Sequence, residues 1–396
     1  MKKILIALGV IIILIAGAIW TYLLFNEKPA SISEVFGRFT EAPERPGYDG
    51  EEYDPTVDTG NGGANATDES SRKRLYPLTT RPVAGAIIVG NTVRYVERGT
   101  GHIYEIGLQG GSERILSGTT LQRTIRASFS PKGDQVALTS EQGNELETVL
   151  GTLVSGGLEI TTLPPGAREA SFGSTGESLN FFVPTTEGGV GYTYTIKTKV
   201  VSEVFSIPLS AVRVLWGTPN YVYTTPSANA LGYVYRMQKN TMEYVSEGKK
   251  GLMAYAHASG TLISSLNDDG ILMTRDVMHG DIPILKLFPE KCTSEKQGSR
   301  VVLCASPLLM PTGATYPDDW YKGIIKFSDT ILRVDSSSTT VQVISDLEGE
   351  SGRPIDVLSI GTDTTGELVY FINKYDGALW MLDLRGETGG REQVYE

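Results

Sequence analysis

The sequence predicts an all-β chain: a seven-bladed β-propeller of four-stranded antiparallel blades, preceded by one N-terminal transmembrane helix and a disordered linker. Three observations carry that prediction. No long helical period appears after Ala84. Short β-rich runs are punctuated by Gly, Asp, Ser and Pro instead. Most intervals between the first runs of successive groups are about 40 residues, the length of one four-stranded blade.

The N-terminus comes first. Lys2 and Lys3 precede an uncharged run from Ile4 to Phe25. As a helix that run crosses ~30 Å of hydrocarbon, with Trp20 and Tyr22 at the far interface. Residues 1–25 therefore read as a cytoplasmic stub and signal-anchor, with the membrane crossed by residues 4–25. The two lysines keep the N-terminus in the cytoplasm and place the bulk of the chain outside, on the periplasmic or extracellular side. A cleaved signal peptide is the rival reading. Its apolar core is usually shorter, and no Ala-x-Ala ends this run.

Residues 26–83 are rich in acidic residues, Gly, Pro and small polar residues. That composition buries too little apolar area to offset the entropy of ordering, so the segment reads as a flexible spacer. Asn65-Ala66-Thr67 fits a glycosylation acceptor and is better read as a chance occurrence.

Residues 84–396 hold the repeat. First runs start at Ala84, Ile125, Ala167, Ala211, Gly251, Glu290 and Pro354. A second apolar strand follows each polar turn, then a third, and often a fourth that ends the group: seven groups of four. One blade cannot bury both faces of its sheet, so neighbours must stack on it. Small residues, as in "RASF" and "EASF", suit the crowded axis. Bulky runs such as "NFF" and "LWML" suit the wider gaps between blades. In the turn of "FSPKGDQVALTS", Pro131 fixes a dihedral and Gly133 accepts positive φ. The ring is expected to close by joining residues 84–89 to the C-terminal group, whose own fourth run is "REQVY". A β-sandwich pair is the competing architecture, and the seven similar units argue against it.

"ASFSPKGDQVAL" resembles the repeat of the TolB-like and WD40-like (PD40-type) propeller families, in which a Ser-Pro-Asp-Gly turn precedes a strand. Lys132 stands where the acidic residue is usual. "SFGSTGESLNFF" and "SIGTDTTGELVYFI" are weaker copies. The resemblance covers the repeat region and implies an architecture rather than an activity. Such domains bind proteins, peptides or sugars, and a few host enzymes. No family catalytic residue carries over. Anchor, linker and propeller together resemble membrane-anchored envelope proteins of bacteria.

Group six departs from the period through an insertion at about 307–326. Its "TYPDDWYKG" stretch gathers Tyr316, Asp318, Asp319, Trp320, Tyr321 and Lys322. Aromatics beside charges are a common interface mixture, and a sugar could stack on Trp320. The alternative is that Trp320 and Tyr321 pin a long loop to the blade. Cys292 and Cys304 flank one hairpin turn, where a strand pair brings them close enough for a disulfide, and an exported location permits the bond.

The chain has 46 acidic and 35 basic residues, a formal net charge of −11, which disfavours a nucleic-acid partner. Its three histidines, His102, His257 and His279, form no zinc pattern. Gly-x-Ser-x-Gly and Gly-x-Gly-x-x-Gly are missing in their functional contexts. The acidic turns around Asp268, Asp269 and Asp363 lack the EF-hand pattern. No cofactor and no metal are expected. The function these readings favour is a non-catalytic extracytoplasmic module that holds a protein or glycan partner at the cell envelope. A carbohydrate-active hydrolase with channel-facing residues and a structural subunit of an envelope assembly are the alternatives.

Overall fold

The computed structural model describes residues 73–385, except 144, 240, 258–259, 278–279, 282–285, 308, 336–337 and 339. The anchor at 4–25, the linker up to residue 72 and the "REQVY" run lie outside the described residues. Among the described residues no helix is long and apolar enough to cross a membrane.

Seven antiparallel four-stranded sheets follow one another along the chain. The first six cover 83–117, 124–162, 168–207, 212–250, 253–281 and 292–346, and the seventh uses 357–383. These are blades one to seven. The first strands of blades one and two, two and three, five and six, and six and seven lie against one another. Glycine at position 85 permits one such approach: a Cβ there would lie 2.0 Å from the carbonyl oxygen of Ala127, in the first strand of blade two.

Strand periodicity decides what fills each gap, because successive side chains point to opposite faces. In blade two Val136 and Leu138 pack on blade one with Val96 and Ile103. Ala137, between them, joins Phe181 of blade three. Phe182, next to Phe181, turns the other way and packs with Val222 and Met237 of blade four. The same rule fills the remaining gaps. Tyr223 and Val234 meet Ala254 and Ile263, and Leu262 meets Val302 and Cys304. Leu303 and Ile331 meet Phe371 and Trp380, and Leu379 and Met381 meet Val93 and Tyr95. The wheel is thus continuous from blade one round to blade seven.

The "FSPKG" turn of blade two is built as its residues dictate. Ser130 donates through Oγ to Asp134 (2.8 Å), Gly133 N–H donates to the Ser130 carbonyl (2.8 Å), and Gly133 has φ 68°. Arg94 of blade one donates to the Gly133 carbonyl at 2.8 Å, so the turn also ties two blades together.

Closure differs from expectation. Residues 83–89 are the first strand of blade one and pair with its second strand, with a bulge between Val83 and Gly85, and Val83 N–H also donates to the Gly377 carbonyl of blade seven at 2.9 Å. The outermost strand of blade seven is Leu75–Pro77, in the register Leu75↔Leu382, Tyr76↔Met381 and Pro77↔Trp380. A stretch assigned to the linker therefore belongs to the ring. Leu75 is buried between blades six and seven, and Arg74 donates from Nε to Glu350 at 2.7 Å. Three residues at the end of a polar segment are too short to show a period of two, and Pro77 discourages a strand assignment.

Candidate functional site

Strand direction alternates within every blade, so the second-to-third strand loops and the blade-to-blade connections emerge at one end of the wheel. The insertion of blade six is a second-to-third strand loop, between Val301–Pro307 and Asp329–Asp335. It carries one helical turn, α1 (Asp318–Tyr321). Asp319 accepts from the Thr315 N–H (2.7 Å), which closes the turn on itself. Asp318 accepts from the Ala228 N–H (2.6 Å), which anchors it to the corresponding loop of blade four.

Trp320 is only 2% exposed. It packs with Phe288, Tyr316, Phe327, Met253 and Leu272, which joins the insertion to blade five and its outgoing connection. At that burial the Trp320 ring turns no open face to solvent, and its contacts hold the insertion against the blade. Asp319 and Tyr316 also point their functional groups into the loop's own scaffold, Asp318 points at blade four, and Lys322 alone of the six sequence candidates is exposed.

Beneath Trp320 lies a charge network that the sequence did not announce. Lys291 Nζ donates to Asp356 at 2.6 Å and to Asp329 at 2.8 Å, and none of the three side chains has exposed surface. Trp320 Nε1 donates to the Asp356 carboxylate (2.9 Å to Oδ2), as does the Phe327 N–H (3.1 Å). Asp329 also accepts from the Val357 N–H at 2.7 Å. Lys291 Nζ stands 4.7 Å from the Phe327 ring centre and 4.9 Å from that of Trp320. Lys374 Nζ sits 4.0 Å from the Trp320 ring centre and donates to the Trp320 carbonyl. Burial raises Asp329 to about 6, with Lys291 opposing and Asp356 reinforcing. Burial lowers Lys374 to about 7, against the attraction of Asp356. The four charged groups come from the entry to blade six, the third strand of blade six, the entry to blade seven and a loop of blade seven. They join only where blades six and seven stand side by side, so no local motif marks them.

A second polar group lines the same end of the central channel. Arg126, Glu169 and Arg213 hold matching positions in the first strands of blades two, three and four. Arg213 Nε lies 3.1 Å from Glu169 Oε2, and Arg126 Nη1 lies 3.5 Å from Glu169 Oε1. Glu169 has φ 53° inside a register jump between Arg168 and Ser171, a strained conformation for a side-chain-bearing residue. Glu169 and Arg213 are crowded by protein yet keep 14% and 23% of their side-chain surface exposed, as groups lining a narrow opening do. Burial pushes the Glu169 carboxyl up, but Arg213 and Arg126 more than offset it and hold it below the usual carboxylate range. Tyr223 donates to Glu290 at 2.8 Å. Burial lowers Arg213, but Glu169 and then Glu290 more than offset it and hold it well above its usual range. The signal for this group was the repeat itself: aligning "RASF", "EASF" and "RVLW" puts a charge at one position in three successive blades.

Cys292 and Cys304 are direct partners in the register of blade six and are bonded, with S–S 2.07 Å. His102 approaches Thr120 at 2.9 Å, His257 pairs with Asp276 at 3.1 Å inside blade five, and His279 lies outside the described residues. Among the described residues no three His, Cys, Asp or Glu side chains are grouped to hold a metal ion.

No family model and no curated protein matches this sequence. Among solved structures, the chain is similar to an oligogalacturonate lyase from Vibrio parahaemolyticus, with a TM-score of 0.52 at 11% identity over 80% of this chain and 95% of that one. It also resembles the β-propeller domain of the Trilobed protease from Pyrococcus furiosus (TM-score 0.49, 13% identity, 79% and 98% covered). For TolB from Acinetobacter baumannii the TM-score is 0.39 at 12% identity, over 74% of this chain and 63% of that one. At these identities the first likeness speaks to the propeller fold alone, and the other two add nothing to it.

Proposed function

We propose that the chain is a non-catalytic binding module, anchored in the cytoplasmic or plasma membrane through residues 4–25, that holds a protein partner at the outer side of the membrane. The observation that carries this reading is the bracing of the insertion. Its inner side is locked by Trp320 on Asp356 and by Asp318 on Ala228. It exposes Leu309 (84%), Ile324 (65%) and Lys322 to solvent. Apolar side chains on a rigid loop lose little freedom on binding, which favours a contact surface. With Trp320 withdrawn into the core, a protein partner suits this surface better than a glycan.

The test is capture from native membranes by full-length protein, comparing wild type with Ile324→Glu. One reproducible partner that is lost in the folded variant supports the reading. Equal capture by both removes the insertion from the interface.

The hydrolase reading draws support from one observation, the meeting of Glu169 and Glu290 around Arg213 at the channel mouth. Glu169 is held ionised by two arginines, which suits it poorly to donate a proton. The lead reading is therefore binding.

A further inference from the structure

The channel mouth is a place where an acidic chain concentrates arginine. Arg126 and Arg213 flank Glu169, and Arg98, from a loop of blade one, lies within electrostatic reach of Arg126. Glu169 cannot serve both of its neighbours equally. One oxygen is taken by Arg213 at 3.1 Å, and the other meets Arg126 only at 3.5 Å. The Arg126 side chain is 45% exposed, so nearly half of it stays open to solvent beside this single long contact.

We propose that Arg126, backed by Arg98, binds a single carboxylate of a small ligand at this mouth of the channel. A guanidinium presents a planar fork of donors that matches the two oxygens of a carboxylate. Glu169 and Glu290 set the limit on charge: a dense polyanion would meet both, whereas one carboxylate can face Arg126 and leave them aside. The strained backbone at Glu169 fits this arrangement, since it holds the carboxylate between the two arginines rather than out in the lumen. Burial lowers the ordinarily very basic Arg98, and Glu141 attracts it more than Arg126 repels it, so its charge adds to the positive field beside Arg126. The site is independent of the outer surface of the insertion.

A carboxylate of this kind is carried by a sugar acid or by a peptide C-terminus. Titration calorimetry on the detergent-solubilised full chain separates them, with a glucuronate-terminated disaccharide in one arm and trialanine in the other. Trialanine amide and the neutral disaccharide are the controls. We expect one carboxylate probe to bind, its amide or neutral counterpart to bind at least ~10-fold more weakly, and Arg126→Ala to lose ~10-fold or more. Arg126→Lys should recover only part of the loss, because it restores charge without the fork. Glu169→Gln, which frees Arg126 from its competitor, should tighten binding, and this second variant guards against a folding defect at Arg126. Binding of neither probe to wild type, or equal binding to wild type and Arg126→Ala, overturns the proposal.

Discussion

Lys291 and Asp356 meet at 2.6 Å with no side-chain surface exposed to water, one at the entry to blade six and the other at the entry to blade seven. Asp356 accepts from Trp320 as well, so a single carboxylate fastens two blades and the insertion between them. Removing one partner of a buried pair strands the other without compensation. Asp356→Asn is expected to lower unfolding stability by ~3–5 kcal/mol, read from denaturant titration. A loss below ~1 kcal/mol would mean that water reaches the network.

The pH dependence has a definite sign. Asp329 is raised from 3.8 to about 6, so between those values the folded state holds a proton that the unfolded state has lost. Its contribution to stability therefore falls as pH rises from about 4 to 6. Lys374 is lowered from 10.5 to about 7, so the unfolded state holds the extra proton there and the contribution rises with pH from about 7 upward. The two together are least favourable between about pH 6 and 7. In denaturant midpoints measured from pH 5 to 9, Asp329→Asn should flatten the acid limb relative to wild type, and Lys374→Met the alkaline limb. Parallel curves for all three proteins would refute the assignment.

Ring closure rests on a three-residue strand. Leu75 is buried between blades six and seven and pairs with Leu382. Leu75→Asp puts an unpaired carboxylate into that gap, a change expected to cost more than ~3 kcal/mol. Amide exchange should then rise first in Leu379–Asp383, the strand that loses its neighbour. Uniform exchange around the wheel would show that closure lies elsewhere.

The bond between Cys292 and Cys304 has a sequence separation of 12, and a loop of that size stabilises by ~3 kcal/mol in the chain-entropy model. The unreduced chain should have a mass two hydrogens below the thiol form, and the Cys292→Ala/Cys304→Ala protein should unfold at lower denaturant. Two alkylatable thiols in freshly isolated protein would contradict the bonded state.

The blades were legible because each is local: turn, apolar run and turn lie within one stretch of chain, and Val136, Ala137 and Leu138 state by alternation which neighbour each one meets. What was not legible is what the ring assembles from a distance. Leu75 meets Leu382 across nearly the whole chain, and Lys291, Asp329, Asp356 and Lys374 are unremarkable residues until blades six and seven stand side by side. Trp320 was visible as an anchor in a long insertion, but its direction was not, since exposure of a single aromatic depends on the charges placed beneath it. Arg126, Glu169 and Arg213 lay in plain view in aligned repeats, yet only their shared position at the mouth turns three surface charges into one group.

The central claim is that the braced insertion is the surface that engages a partner. The most direct measurement is cross-linking of the intact protein in its native membrane, with mass spectrometry of the linked peptides. The account predicts cross-links from Lys322 to one reproducible protein, lost when Leu309 and Ile324 are both changed to Glu in a folded chain. Cross-links that cluster on the opposite end of the wheel, and persist in that variant, would contradict it.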